Sequence, residues 1–374
     1  MIPRILKKKI AKALKPGKVI GLFGARRTGK TIIMEEIKKE IKGKKVLMVS
    51  GENLDAAEIL SSQRLGVLKK FVQGYTYLFI DEAQKITNIG LNLKLIADNI
   101  AGIYIFVTGS SAFELKNKLS EPLTGRSRFY YLYPIAQKEL KEDMLQAKEH
   151  LESRLIFGSY PQVINAKNDN ERKEVLESIK NGFLLKDILE LDKLKNSLFI
   201  LNLLRLIAFQ IGNDISYTEL ASKLNVNKKT VMRYFDLLEK CYIIFSLQGF
   251  SRNLRKEYAR TPRYYFWDNG IRNSLISNFN SLSLRDDTGK LWENYCISER
   301  LKKTHYDEMF VNHYFWRTYD QQEIDLIEEG DGNLSAYEFK WSETKSKAPK
   351  SFLDNYERST YSVINRMNYL DFIT

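Results

Sequence analysis

Four near-continuous apolar runs mark the first third of the chain: "VIGLF" (19–23), "VLMVS" within residues 44–53, "YLFID" within 75–84 and "IYIFVTG" within 102–111. Runs of this length, without strict alternation, are the pattern of strands covered on both faces. Amphipathic helical stretches such as "IIMEEIKKEI" separate them, so the pattern predicts an α/β domain built on a parallel sheet. From about residue 136 to 200 the apolar spacing turns helical, broken at "GSYPQ" and "AKNDNER", which suits a helical lid. Residues 215–250 then predict a short helix (Tyr217 to Leu224), a turn at "NVN", a second helix (Lys228 to Lys240) and a strand, "YIIFSLQGF". Leu220, Ala221, Leu224, Val226, Val231, Phe235 and Leu238 would form the interior of a helix-turn-helix with a wing. The last stretch opens with a helix, "GKLWENYCISERLKK", and continues with "VNHYFWRTYD", the pair "EIDLI" and "YEFKW" around the turn "EGDGN", and a helix from about Phe352. The domains expected are therefore 1–135, 136–200, 201–287 and 288–374.

Composition narrows the class. With 374 residues and 44% hydrophobic content the chain can bury more than one core. No run approaches the ~18–20 apolar residues of a membrane span, and the start "MIPRILKKKIAKALKPGK" has charge where a signal peptide needs its apolar core, so no membrane span and cytoplasmic residence are expected. Cys241 and Cys296, with His150, His305 and His313, show no zinc spacing and make no disulfide framework. The net charge of +13 is uneven: seven Lys or Arg and no acid lie in residues 1–18, leaving +6 for the rest. That basic segment reads either as an amphipathic helix packed through Ile2, Ile5, Leu6, Ile10, Ala13 and Leu14, or as a contact for nucleic acid or an anionic surface.

The sharpest chemistry follows the first strand. "VIGLFGARRTGKT" ends in Gly24-x-x-x-x-Gly29-Lys30-Thr31 and runs into a helix. In such a loop, backbone N–H groups and the helix N-terminus wrap phosphates, and glycines permit the close approach. Gly24, Ala25, Arg26, Arg27, Thr28, Gly29, Lys30, Thr31 and Ile32 are the expected ATP contacts, Lys30 reaching the β- and γ-phosphates and Thr31 binding Mg²⁺. A second metal contact should lie at the end of a neighbouring parallel strand. Asp81 and Glu82, 51 and 52 residues after Lys30, fill that place: Asp81 for the Mg²⁺ shell, Glu82 to polarise water. Thr108, Ser110 and Ser111 end the next strand where a γ-phosphate sensor would stand, although such residues also cap helices. Arg126 or Arg128 in "LTGRSRFYYLYP" could serve as an arginine finger within the chain or on a neighbouring copy, or be a surface charge. In the middle segment, Lys186 beside Asp187 reads as a lid cation near nucleotide or as a surface pair.

Two further clusters are candidates. Lys228, Lys229 and Arg233 would point outward from the second helix of the helix-turn-helix, and Arg252, Arg255 and Lys256, with Tyr258, lie in the basic stretch after it. These are potential DNA phosphate contacts, although winged helices also bind proteins. Near the C-terminus, Asp325 precedes Glu338 and Lys340 by 13 and 15 residues. Glu338 and Lys340, two apart in a strand, would share a face while Tyr337, Phe339 and Trp341 take the other. Glu-x-Lys occurs seven times in the chain, so the triplet is informative only through this context.

The strings "FGARRTGKT", "YLFIDEAQKI", "IFVTGSSAFEL", "LTGRSRFYYLYPIAQKEL", "FGSYPQVI", "LLKDIL", "TPRYYFWDNGIRNSL", "LWENYCISERL" and "YFWRTYDQQEIDLI" resemble, in order, prokaryotic AAA-type ATPases with a C-terminal domain of unknown function. The resemblance implies Lys30 and Thr31 as Walker A, Asp81 and Glu82 as Walker B, Thr108 as sensor and Arg126 in the glycine-arginine position. Ala25 departs from the proline common after the first loop glycine. Residues 288–374 resemble PD-(D/E)xK nuclease cores, which implies a possible second Mg²⁺ at Asp325 and Glu338 with Lys340 and Glu293 nearby. The expected fold is thus α/β: a P-loop AAA-type three-layer module with a parallel sheet, a helical lid, a winged helix and a restriction-endonuclease-like domain. The expected activity is Mg²⁺-dependent ATP hydrolysis coupled to DNA, with a homo-oligomer conceivable. A nucleotide-controlled regulator or scaffold with a silent C-terminal domain is the alternative.

Overall fold

The computed structural model describes residues 2–109, 123–184, 197–251, 261–318, 321–342 and 346–374. Ser110, Ser111, Lys186, Asp187, Arg252, Arg255, Lys256 and Tyr258 lie outside the described residues. The chain divides into two compact units, Met1–Tyr133 and Pro134–Thr374.

The first unit carries a five-stranded, all-parallel sheet: β1 (Val19–Phe23), β2 (Val46–Ser50), β3 (Tyr77–Asp81), β4 (Tyr104–Gly109) and β5 (Ser127–Tyr131), in the order β2-β3-β4-β1-β5. Every residue of β1 is buried, as its unbroken apolar run requires. The four predicted strands are present; β5 is an addition. It lies on the sheet edge, alternating exposed Arg128 with half-buried Phe129, and so lacks the apolar run that marks the others.

The order places β4 between β1 and β3, with Leu22 level with Thr108 and Ile80 level with Val107. The ends of three neighbouring strands therefore present the phosphate loop, Thr108 and Asp81 side by side. Helices α2 (Lys30–Glu40), α3 (Leu54–Ser61), α4 (Leu65–Phe71) and α5 (Ile89–Asn99) cover the sheet. The basic N-terminal segment forms α1 (Ile5–Ala13), which buries Leu6 and Ile10 and sets Lys7 against Glu36 and Glu40 of α2 at 3.3 and 2.7 Å. Its packed reading is thus the one realised for these residues.

The second unit begins with helices Met144–Phe157, Pro161–Ile164 and Asp169–Ile179, the first capped by Asp143 and the third by Asn168. Helices Tyr217–Lys223 and Lys228–Lys240 follow the turn pattern expected, and Asn227 caps the second by accepting from Thr230 N at 2.8 Å. A hairpin of β6 (Ile244–Gly249) and β7 (Arg263–Phe266) comes next. These strands join β8 (Asn312–Arg317), β9 (Glu323–Gly330), β10 (Asn333–Phe339) and β11 (Ser359–Ile364) in one mixed sheet, ordered β11-β10-β9-β8-β6-β7. The link is parallel, Gln248 opposite Tyr314 and Gly249 opposite Phe315, so hydrogen bonding runs unbroken across the expected boundary at 288. The long helix Thr288–Tyr306 is almost wholly buried. Phe250, Trp316, Ile324, Ile327, Leu334, Ala336 and Phe352 form a core against this sheet.

Candidate functional site

The loop between β1 and α2 is shaped by its glycines. Gly24 has φ +148°, and a Cβ there would sit 2.0 Å from the carbonyl oxygen of Leu132, so no other residue fits without displacing backbone. Gly29, at φ +101°, starts α2. Thr28 closes the loop from within, its hydroxyl donating to Ala25 O at 2.8 Å. Arg26 and Arg27 are half-buried, Ile32 is exposed, and Arg27 has its guanidinium pKa lowered by partial burial. Lys30 is 4% exposed and donates to the carbonyls of Gly24 and Ala25, each at 2.9 Å. An ammonium held by two neutral carbonyls inside a ring of backbone is poised to exchange them for phosphate oxygens.

Beside it runs a chain of oxygens. Thr31 Oγ1 donates to Asp81 Oδ2 at 2.8 Å, and buried Thr108 Oγ1 donates to Asp81 Oδ1. The same Thr108 oxygen accepts from Glu82 N at 3.3 Å, and Asp81 Oδ1 accepts from that N–H at 3.2 Å. Glu82 has φ +50°, and Gln84 Nε2 donates to its carboxylate. The end of β2 presses on this turn: Gly51 N donates to Asp81 O at 2.7 Å, and a Cβ at Gly51 would lie 2.4 Å from Glu82 O. A hydroxyl and a carboxylate already in contact are hard donors of the kind Mg²⁺ takes from a protein, the rest of its shell coming from water and phosphate. Thr31 and Asp81 therefore fit the ion. Gln84 was not singled out in the sequence, although an amide two residues beyond an acid at a strand end could have suggested it.

Arg126 needs correction. It precedes β5, at the N-terminal ends of the strands and so at the opposite end from the loop: Val19 N, at the start of β1, donates to Arg126 O at 2.9 Å. A five-residue strand at ~3.3 Å per residue puts it about 15 Å from the end of β1. Its guanidinium pairs with Asp98. It therefore does not act on the phosphates of its own chain. Arg128, exposed on β5, has its guanidinium 5.2 Å from the centre of the Tyr130 ring.

In the second unit, the register of β9 and β10 aligns Leu326 with Tyr337 and so brings Asp325 level with Glu338. Asp325 is 8% exposed, and its Oδ2 accepts from Phe339 N at 2.8 Å. Glu338 accepts from Lys340 at 2.7 Å. Glu293, buried on the long helix, accepts from Tyr265 OH at 2.8 Å and from Lys290 at 3.0 Å. Burial raises the Asp325 pKa well above the ordinary carboxylate range, and the charges of Glu293 and Glu338 push it further. The four expected residues thus share one electrostatic neighbourhood. Among the described residues, however, no group of three or more His, Cys, Asp or Glu is arranged to hold a metal ion. Asp325 and Lys340 are each already engaged within the set or with backbone, Asp325 by Phe339 N and Lys340 by Glu338.

Lys228, Lys229 and Arg233 are exposed on the second helix of the pair, as expected. Elsewhere in this unit an open cleft of about 590 Å³ is lined by Lys148, Glu152, Leu282, Trp341, Arg366 and Met367, with the Arg366 guanidinium 4.9 Å from the centre of the Trp341 ring. Among the described residues, no helix is long and apolar enough to cross a membrane.

Comparison with known proteins agrees with this geometry in the first unit. The family described as "AAA domain" matches residues 16–141; two domains of unknown function, DUF8612 and DUF4143, match residues 148–282 and 288–369. An uncharacterized protein of Mycobacterium bovis is 25% identical over 342 residues, covering 90% of this chain and 74% of its own. One from Methanocaldococcus jannaschii is 23% identical over 316 residues, covering 79% and 69%. Among solved structures, AMPPCP-bound DnaA from Aquifex aeolicus aligns with TM-score 0.26 and 17% identity over 63% of this chain and 84% of that one. Pif1 helicase from Candida albicans aligns with TM-score 0.28 and 14% identity over 48% of each. Scores this low add nothing to the fold described above. The N-terminal module is an AAA-type nucleotide-binding domain, with the loop and acidic strand end of an ATPase.

Proposed function

We propose that this chain hydrolyses ATP with Mg²⁺ and couples its nucleotide state to DNA engaged by the second unit. The observation that carries the reading is the chain Thr31–Asp81–Thr108 beside Lys30, joining the start of α2 to the ends of the adjacent strands β3 and β4. Phosphoryl transfer needs positioning and charge neutralisation more than covalent chemistry. The loop amides and Lys30 would bind the phosphates, and Thr31 and Asp81 would hold Mg²⁺, which neutralises charge on the β- and γ-oxygens. Glu82 would polarise the attacking water once its carboxylate exchanges Gln84 for that water. Thr108, touching both Asp81 and the Glu82 amide, would orient the pair and register the γ-phosphate. A role for Arg126 would have to be exerted on a neighbouring copy in a homo-oligomer.

The DNA side of the reading is supported by the exposed Lys228, Lys229 and Arg233 on a helix pair followed by a hairpin, the element order of a winged helix. The cleft at Trp341 and Arg366 adds an aromatic surface with cations beside it, suited to a base and its phosphates. Asp325, Glu338, Lys340 and Glu293, which share one electrostatic neighbourhood, would belong to a nuclease-like domain that engages the DNA. The second reading, a nucleotide-controlled regulator of a protein partner with a silent C-terminal domain, draws on the engagement of Lys340 with Glu338 and of Asp325 with Phe339 N.

ATP hydrolysis measured with single-stranded, duplex and branched DNA separates the two. Stimulation that falls in a Lys228→Ala/Arg233→Ala double variant supports coupling to DNA. Hydrolysis indifferent to every DNA, with no DNA binding, would leave the regulator. Cutting of any of these DNAs with Mg²⁺, abolished by Glu338→Ala, would restore the nuclease reading.

A further inference from the structure

Arg4 lies just before α1, outside residues 16–141 matched as the AAA domain. Its guanidinium spans two backbone carbonyls: Nη1 donates to Thr28 O at 2.6 Å and Nη2 to Tyr133 O at 2.8 Å. The first belongs to the phosphate loop. The second belongs to the segment against which that loop packs, since Leu132 N donates to Phe23 O at 2.7 Å and Leu132 O abuts Gly24.

The consequence follows from peptide geometry. In a planar trans peptide the C=O and the next N–H point in opposite directions. The peptide joining Thr28 to Gly29 is trans, as is every other among the described residues. A guanidinium gripping Thr28 O on one side therefore turns the Gly29 N–H to the other. A phosphate-binding loop works through such amides, and one held in place in the empty protein does not have to be ordered on binding. The grip is itself anchored. Leu6 and Ile10 fix α1 in the core, and Lys7 ties it to α2, the helix that starts at Lys30.

We infer that Arg4 is a positioning residue of the nucleotide site, holding the Thr28–Gly29 peptide in the orientation that binds phosphate and bracing it against Tyr133. This rests on the reading of the loop as an ATP site. A planar fork is needed to reach two carbonyls at once; a lysine offers one compact charge and replaces it poorly.

The test uses the full chain as wild type and as Arg4→Ala, Arg4→Gln, Arg4→Lys and Lys30→Ala, with ATP affinity measured by calorimetry, KM and kcat by steady-state turnover, and folding by thermal melting. The expected result is a Kd and KM for ATP raised about tenfold in Arg4→Ala and Arg4→Gln, equivalent to about 1.4 kcal/mol. kcat at saturating ATP should fall by less than KM rises, and Arg4→Lys should recover only part of the affinity. Lys30→Ala should lose binding altogether. ATP binding that is lost in Lys30→Ala but unchanged in folded Arg4→Ala or Arg4→Gln would overturn the Arg4 assignment alone. A folded wild type that binds no ATP would overturn the ATP-site reading, and the assignment with it.

Discussion

Replacing Asp325 by Asn tests whether the C-terminal carboxylates are a strained site or a relaxed scaffold. Asp325 is buried, receives one hydrogen bond from Phe339 N, and feels the charges of Glu293 and Glu338, while Lys340 is engaged with Glu338. Asn keeps the shape and the acceptor and removes the charge. The Asp325 pKa is raised in the folded chain, so the unfolded chain releases this proton first as pH rises. The stability associated with the protonated carboxyl is complete below the ordinary carboxylate range and is lost as pH rises through the folded pKa. Asp325→Asn should therefore stabilise the metal-free protein at pH 8 and make little difference at pH 4. Relief of a poorly compensated buried group is worth about 1–3 kcal/mol. For a unit the size of Pro134–Thr374, each kcal/mol moves the melting temperature by roughly 2–4 °C, so the gain at pH 8 should be about 2–12 °C. Differential scanning calorimetry in EDTA at both pH values measures it. An Asn variant that melts lower than wild type at pH 8 would refute the reasoning, because the ionised carboxylate would then be contributing to stability.

Other consequences are equally direct. Thr108→Val keeps the volume but removes the hydroxyl that donates to Asp81 and accepts from Glu82 N; turnover should fall roughly 10–100-fold, the scale of losing an outer-shell partner of a metal-binding carboxylate, with ATP affinity changed far less. A salt titration of DNA binding by Lys228→Ala/Lys229→Ala should show weaker affinity on every sequence and a slope of log K against log salt reduced by about 2. An unchanged slope would place the DNA elsewhere.

The nucleotide module was legible because its signals are local. An apolar run, a glycine-bounded loop and an acidic pair after another apolar run each sit within about ten residues, and parallel-sheet logic brings their ends together. What escaped depends on topology. Arg126 carries the expected glycine-arginine string, yet only the direction of β5 beside β1 shows that it stands at the far end of the strands from the loop. β5 itself was hidden by its polar edge residues. The pairing of β6 with β8 joins Gln248 to Tyr314 through a parallel register, and such a long-range match leaves no periodic trace in either segment. The Asp325–Glu338 alignment was legible because the turn "EGDGN" fixes the hairpin, whereas Glu293, whose charge helps raise the Asp325 pKa, comes from a helix more than thirty residues earlier in sequence. Arg4 gave no signal beyond one more charge in a basic segment.

The central claim is that Lys30, Asp81 and Glu82 hydrolyse ATP, and steady-state phosphate release by the purified chain with Mg²⁺ tests it most directly. The account predicts turnover in wild type, none in Lys30→Ala, and ATP bound without hydrolysis in Glu82→Gln. Hydrolysis at the wild-type rate in Lys30→Ala would contradict it.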